Sequence, residues 1–263
     1  MSPPPVDPAE TQDLRTEMLR LSSADNFRDV AGDGYLTEDG VRLLTGVLFR
    51  SNELQLSHGD AATVAGLGVT DVFDLRESIE VEAHPDIEVP GSRWHHVPVE
   101  GIPMTEVADL PSLEAALDTM HRVYRGFVEL AGARAAFAEL FRSIAASSTP
   151  QLFHCTAGKD RTGWAAAVLL RLCGVPEATV HADYLLTNEV DGTRHKYLGL
   201  IREHLGEDKV AVYEAVMVAD LAYLAEADAA VAEHHGSLEA YVRDGLGLSD
   251  AEIAALVGRL RPA

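Results

Sequence analysis

The chemistry of this chain concentrates in His154-Cys-Thr-Ala-Gly-Lys-Asp-Arg-Thr-Gly163. A short apolar run, Pro150-Gln-Leu-Phe-His154, reads as a buried strand leading into it, and Thr162 to Leu172 reads as a helix leading out, opening near Arg161. Backbone N–H groups at a helix start have no intrahelical partner, and the helix dipole adds partial positive charge at the same point. Ala157 and Gly158 keep side chains out of the turn, so amides can wrap an oxyanion there. Cys155 sits at the base of this cradle. The same amides stabilise a thiolate, and cysteines so placed can fall from about 8.5 to between roughly 3.5 and 7.5 in pKa. Such a thiolate attacks phosphorus.

Arg161 returns to the loop with a planar fork able to hold two oxygens of an oxyanion and follow them into the transition state. Thr162 is placed to donate a hydrogen bond to the sulfur. Thr156, Ala157, Gly158, Lys159, Asp160 and Arg161 together are the expected phosphate-binding set. His154 is expected to be buried and to orient the loop. Lys159 adds a second positive charge; the plainer reading is a solvated surface lysine. Cys155 could instead be a buried structural cysteine, but the spacing to Lys159 and Arg161 argues against it. For Cys173, on the apolar face of the following helix, the structural reading is preferred.

Departure of an alkoxide or phenolate calls for a general acid. Asp160, beside Arg161, is the first candidate; the cations next to it favour its ionised form, and a bound phosphate dianion pushes the other way. Its plain alternative is a helix cap or a pair with a neighbour. Asp74, at the end of a predicted strand where α/β sites gather, is the second candidate, with a structural pair to Arg76 as its equal rival. Asp109 and Asp118 lie upstream without further support.

The elements around this loop alternate. Gly46 to Arg50, Val69 to Leu75 and Arg93 to Val99 read as strands, and Gln55 to Leu67 as a helix closed by Gly68. Ser112 to Ser147 carries helical spacing broken near Gly132. The pattern predicts an α/β fold, a small, largely parallel central sheet flanked by helices. From Pro176 the spacing is helical: Glu177 to Glu189, Thr193 to Leu205, Lys209 to His235, Leu238 to Arg243 and Ser249 to Leu260, with Ser249 as an N-cap. This helical third is either a cap over the site or an enlarged core. The expected organisation is a loose Pro-rich tail over residues 1–10 and a single domain over 11–263, with cap elements within about 177–243.

The string Cys155-x5-Arg161-Thr162 resembles the signature loop of the cysteine-dependent protein tyrosine phosphatases. His154 to Gly163 as a whole is similar to an atypical bacterial branch, the mycobacterial type-B tyrosine phosphatases. Asn26-Phe-Arg-Asp29, Phe49-Arg-Ser51, Asp74-Leu-Arg76, Asp183-Tyr-Leu-Leu186 and Gly236-Ser-Leu-Glu-Ala-Tyr241 resemble that branch's blocks in the same order, spanning residues 26 to 241 of 263. The resemblance implies a phosphocysteine intermediate, no metal or other cofactor, and a C-terminal helical lid over the site. It implies a protein-tyrosine phosphatase of broad specificity that extends to phosphoserine, phosphothreonine and phosphoinositides. Substrates would be phosphorylated proteins or small phosphomonoesters, with inorganic phosphate as product. A silent phospho-ligand binding module, or an arsenate reductase or sulfurtransferase with a similar anion loop, stays open as an alternative.

Composition narrows the rest. The formal net charge is −21, which argues against a broad nucleic-acid or anionic-membrane footprint and requires a local positive site to draw in an anion. Two cysteines make no secreted disulfide scaffold, and Cys173 lies about 18 Å along the predicted helix, too far to pair with Cys155. No CxxC, HxH or HExxH spacing suggests a metal site. His95-His96 and His234-His235 read as strand and helix-end residues. Glu77, Glu80 and Glu82 read as a solvated acidic face, and Tyr184 and Tyr223 as core. The N-terminus has no signal-peptide pattern, so a cytoplasmic protein is expected, with non-standard export left open.

Overall fold

The structure, a computed structural model, describes residues 21–102, 110–190 and 192–262, and only the backbone of 192, 193 and 195–197. The expected tail over 1–10 and the candidate Asp109 lie outside the described residues. Five strands form one sheet: β1 (Arg28–Asp29), β2 (Leu48–Ser51), β3 (Asp71–Asp74), β4 (Arg93–His96) and β5 (Gln151–His154), in the order β1-β2-β5-β3-β4. β1 runs antiparallel to β2, and the other pairings are parallel. In register, Phe49 and Val72 flank Leu152 on one face, while Arg50 and Phe73 flank Phe153 on the other. Alternate residues thus serve two cores, as the period of a strand requires. Phe49, Val72 and Leu152 join Phe27, Leu54 and Val64 on one side. Leu48, Phe73 and Phe153 join the larger helical core on the other.

Ser51, Asp74 and His154 end their strands side by side. This places the β5 turn, the only one that carries the cysteine, at the carboxyl edge between two neighbours, where open α/β sheets gather ligands. The helices are α1 (His58–Gly66), α2 (Ser78–Ala83), α3 (Leu113–Glu129), α4 (Ala131–Ala146), α5 (Arg161–Leu172), α6 (Glu177–Leu185), α7 (Gly192–Leu205), α8 (Glu207–Met217), α9 (Leu221–His234) and α10 (Asp250–Leu260).

Ser249 caps α10 in a capping box with Glu252, as its sequence predicts. Other boundaries differ. The helix expected over Lys209 to His235 is two helices, because Val218 is extended and the Asp220 side chain accepts from Ala222 N–H to start a new one. The helix from Glu177 ends at Leu185 and tightens into a 3-10 turn over Leu186–Glu189. Leu238 begins only one helical turn, which widens into a π turn over Tyr241–Gly245. The pattern reading missed β1, which is two residues long, and α2, whose start is a capping box between Glu77 and Glu80. No helix among the described residues is long and apolar enough to cross a membrane.

Candidate active site

The turn after β5 is held from outside by its carbonyls. His154 Nδ1 donates to Cys155 O (3.2 Å), Glu53 N–H to Thr156 O (2.9 Å), Asn26 Nδ2 to Ala157 O (2.8 Å) and Arg50 Nη2 to Gly158 O (2.9 Å). Peptides are planar and trans, so a carbonyl turned toward the scaffold turns the following N–H the other way. Among the described residues, the N–H groups of Thr156 to Asp160 donate to no protein acceptor. With the start of α5 at Arg161, they make an anion-binding concavity. Gly158 has φ +70°, and a Cβ there would lie 2.5 Å from Ser51 O and 2.7 Å from Asn26 Nδ2. Only glycine lets the turn lie this close to β2.

The donors are themselves anchored. Arg28 Nε and Arg50 Nη1 bind the two oxygens of Asp183 at 3.1 and 2.7 Å, all three side chains being buried, and Tyr35 donates to the same carboxylate at 3.2 Å. Burial alone would raise Asp183, but the two guanidinium charges hold it below the usual carboxylate range. Arg28 also binds Asn26. The short blocks around Asn26, Arg50 and Asp183 are therefore the frame of the loop.

Arg161 is buried beneath the loop. Its Nη1 and Nη2 bind Glu80 Oε2 and Oε1 at 2.6 and 2.8 Å, and Thr156 donates to Glu80 as well. This corrects two expectations. Glu80 is not part of a solvated face, and the terminal edge of the Arg161 fork is held by protein. On the other edge Nη2 also donates to Thr156 Oγ1 at 3.3 Å, while Nε makes no hydrogen bond among the described residues and stays open to an oxyanion. Burial would raise Glu80, but Arg161 and Thr156 bring it down to about 2. Gly101 leaves room for the guanidinium, 3.0 Å from where a Cβ would sit.

Lys159 is buried, not solvated, and its Nζ lies 2.6 Å from Asp160 Oδ1. Asp160 occupies the N-cap position of α5 but its side chain makes no cap; it accepts from Lys159 and from Tyr124. Thr162 is buried and its Oγ1 has no hydrogen-bond partner among the described residues, so the expected bond to the sulfur is not formed. Asp74 is wholly buried in a bidentate pair with Arg76, whose Nη2 also meets Asp86 at 2.8 Å, and it does not line the cavity. Of its two readings, the structural pair describes its surroundings. Asp74, Asp86 and His154 have the composition of a metal site, and the cation bound to both carboxylates is Arg76. Asp118 is exposed on α3.

A cavity of about 320 Å³ opens over the loop. Cys155, Thr156, Ala157, Lys159, Asp160 and Arg161 line it, with Glu80 beside them. Val190, Arg194, Val216 and Met217 line it from the helical third, and Ile102 and Val123 add further apolar wall. These wall residues carried no sequence signal beyond helical spacing. The other discounted residues are engaged elsewhere: His95 with Asp71 (2.8 Å), His96 with Arg76 O (2.9 Å), and Tyr223 with Ala215 O (2.8 Å). Cys155 and Cys173 are both free, and burial pushes Cys173 up to about 12.

The arrangement offers a thiol, a ring of amides, a fixed guanidinium and a carboxyl group around one small volume. A model of the tyrosine phosphatase family matches residues 19–261. The triple specificity protein phosphatase PtpB of Mycobacterium tuberculosis is 32% identical over 277 aligned residues, covering 91% of this chain and 98% of that protein. A putative tyrosine-protein phosphatase of Cupriavidus necator is 32% identical over 258, covering 95% and 91%. A crystal structure of P. aeruginosa TpbA with phosphotyrosine is 15% identical and covers 73% of this chain and 90% of its own, at a TM-score of 0.28, a likeness too loose to carry an argument.

Proposed function

The chain belongs to the tyrosine phosphatase family, and from that premise we propose that it hydrolyses phosphotyrosine and related phosphomonoesters through Cys155. The observation that carries this reading is the shared lining of one cavity by Cys155, Lys159, Asp160 and Arg161 over a turn whose amides, among the described residues, donate to no protein acceptor. The phosphoryl group sits against those amides and the Nε–Nη2 edge of Arg161. Cys155 Sγ attacks phosphorus, the ester bond breaks, and Asp160 protonates the departing oxygen. Water then attacks the thiophosphate, its proton passes to Asp160, and the thiolate leaves. Amides and a guanidinium already in place favour the charge that develops on the equatorial oxygens, because they need not reorganise.

Ile102, Val123, Val190, Val216 and Met217 favour an aromatic ring beside the phosphate. Tolerance of phosphoserine, phosphothreonine and phosphoinositides is a second reading. The M. tuberculosis relative, named a triple specificity phosphatase, supports it, as does the additional cation Arg194 in the lining. We place the activity in the cytoplasm.

Cys155→Ser is the decisive test. Turnover of an aryl phosphate falls to background while tungstate still binds; normal turnover by this variant would remove the mechanism. A panel of phosphopeptides and soluble phosphoinositides, compared by kcat/KM, ranks the substrates.

A further inference from the structure

Two phenols lie behind Asp160, where a hydroxyl is costly. Tyr124 on α3 and Tyr184 on α6 are buried to 0% and 1% exposure, Tyr124 with its ring against Phe127 and Tyr223. Phenylalanine would fill the same space without a polar atom to satisfy, and burying an unpaired hydroxyl is unfavourable. The Tyr124 hydroxyl bonds only to Asp160 Oδ1 (2.8 Å) and to the Tyr184 hydroxyl (2.6 Å) among the described residues.

Counting protons orders these bonds. The Tyr124 hydroxyl donates to Asp160 Oδ1, an oxygen that only accepts as long as no proton sits on it. Having spent its one proton there, Tyr124 must accept from Tyr184. Burial, and then the Asp160 charge, push both phenols well above their ordinary range, so both keep their protons. Lys159 Nζ reaches the same Oδ1 at 2.6 Å. Oδ1 therefore takes two donors, while Oδ2 accepts from none among the described residues. Asp160 lines the cavity.

We infer that Tyr124 and Tyr184 are positioning residues for the reaction: they hold Oδ1 so that Oδ2 is the oxygen that carries the transferable proton. A proton on Oδ1 would meet two donors; on Oδ2 it meets none among the described residues. In the first step the Sγ–P bond forms, the P–O bond to the leaving group breaks, and the Oδ2 proton passes to the leaving oxygen. The carboxylate left behind is met by Tyr124 and Lys159. In the second step water adds to phosphorus, the S–P bond breaks, and the water's proton returns to Oδ2. The inference rests on the reading of Asp160 as the general acid and adds what orients it. It also links the helical third to the loop, since Tyr184 belongs to α6.

The test is the dependence of the phosphoenzyme burst rate on the leaving group, from para-nitrophenyl phosphate, which needs little protonation, to phenyl phosphate, which needs much. Asp160→Asn tests the underlying reading by a steepened dependence. Tyr124→Phe is expected to steepen it in the same sense, with about a tenfold loss on phenyl phosphate, a fraction of what a general acid supplies, and less than about twofold on para-nitrophenyl phosphate. Tungstate affinity stays within about twofold. Tyr184→Phe gives a smaller effect in the same direction, and decides the question alone if Tyr124→Phe does not fold. Equal losses on both esters, or none, in the Tyr variants beside a steepened Asp160→Asn overturn the positioning role. A flat Asp160→Asn overturns the acid reading, and the positioning role with it.

Discussion

Glu80 and Arg161 meet fork to fork, with Nη1–Oε2 at 2.6 Å and Nη2–Oε1 at 2.8 Å, across 81 positions of sequence. The pair turns the inner edge of the guanidinium toward the turn. Glu80→Gln keeps the shape of the side chain but cannot accept two charge-assisted bonds. We expect tungstate affinity and kcat/KM for an aryl phosphate each to fall by about tenfold or more, because the edge that grips the oxyanion is no longer held. Wild-type kinetics in this variant would make the pair a matter of stability alone.

The same pair sets an acid window. Glu80 is held at about 2 against its ordinary 4.5. A carboxylate with a depressed folded pKa contributes stability above its unfolded pKa, and that contribution is lost as pH falls through the folded value. Urea melts of wild type and Glu80→Gln should therefore differ most above pH about 4.5 and converge toward pH about 2. A difference independent of pH would contradict this.

Asp183 neutralises two buried guanidiniums. Asp183→Asn strands both, and breaking a buried pair from one side typically costs about 3–5 kcal/mol. Denaturant unfolding should show a loss of that order. Because Arg28 and Arg50 frame the loop, any folded variant should also bind tungstate more weakly.

Gly158→Ala puts a methyl group onto Ser51 O and demands φ +70° of an alanine. Left-handed strain costs about 1–3 kcal/mol, and the overlap adds to it. The expected outcome is a marked drop in stability with no measurable turnover. A stable, active variant would show that the turn tolerates another path.

The two thiols should separate cleanly. Cys173 is buried and its thiol is pushed up to about 12, whereas Cys155 lines the cavity. At neutral pH iodoacetate should modify Cys155 alone, with protection by tungstate; peptide mapping by mass spectrometry reads both results. Labelling of Cys173 in the native protein would contradict the packing described.

Much of the fold was legible because it is locally specified. The alternation of β2, α1, β3 and β5 follows from runs of apolar residues closed by glycine and proline. The β5 strand, the small-residue turn and the start of α5 stand within a few residues of one another, so nearest-neighbour rules suffice to read them. Ser249 as a cap belongs to the same class. The interruption at Val218 to Asp220 was hidden, since helical spacing continues through it and only the backbone there reveals two helices.

The sequence by itself determined the chemical inventory: a cysteine, a lysine, an aspartate and an arginine spaced along one turn between a buried strand and a helix. Only the tertiary structure decided which groups act on that inventory. Glu80 looked like one of several solvated acids, and Asn26 stood out only as part of a short block far from the turn, yet each meets the turn or its side chains from far along the chain. Spacing along a chain is set by covalent geometry and can be read directly. Partnership across a core is set by which distant faces pack together and by where the buried polar groups must find donors, and that is decided only when the whole chain has folded.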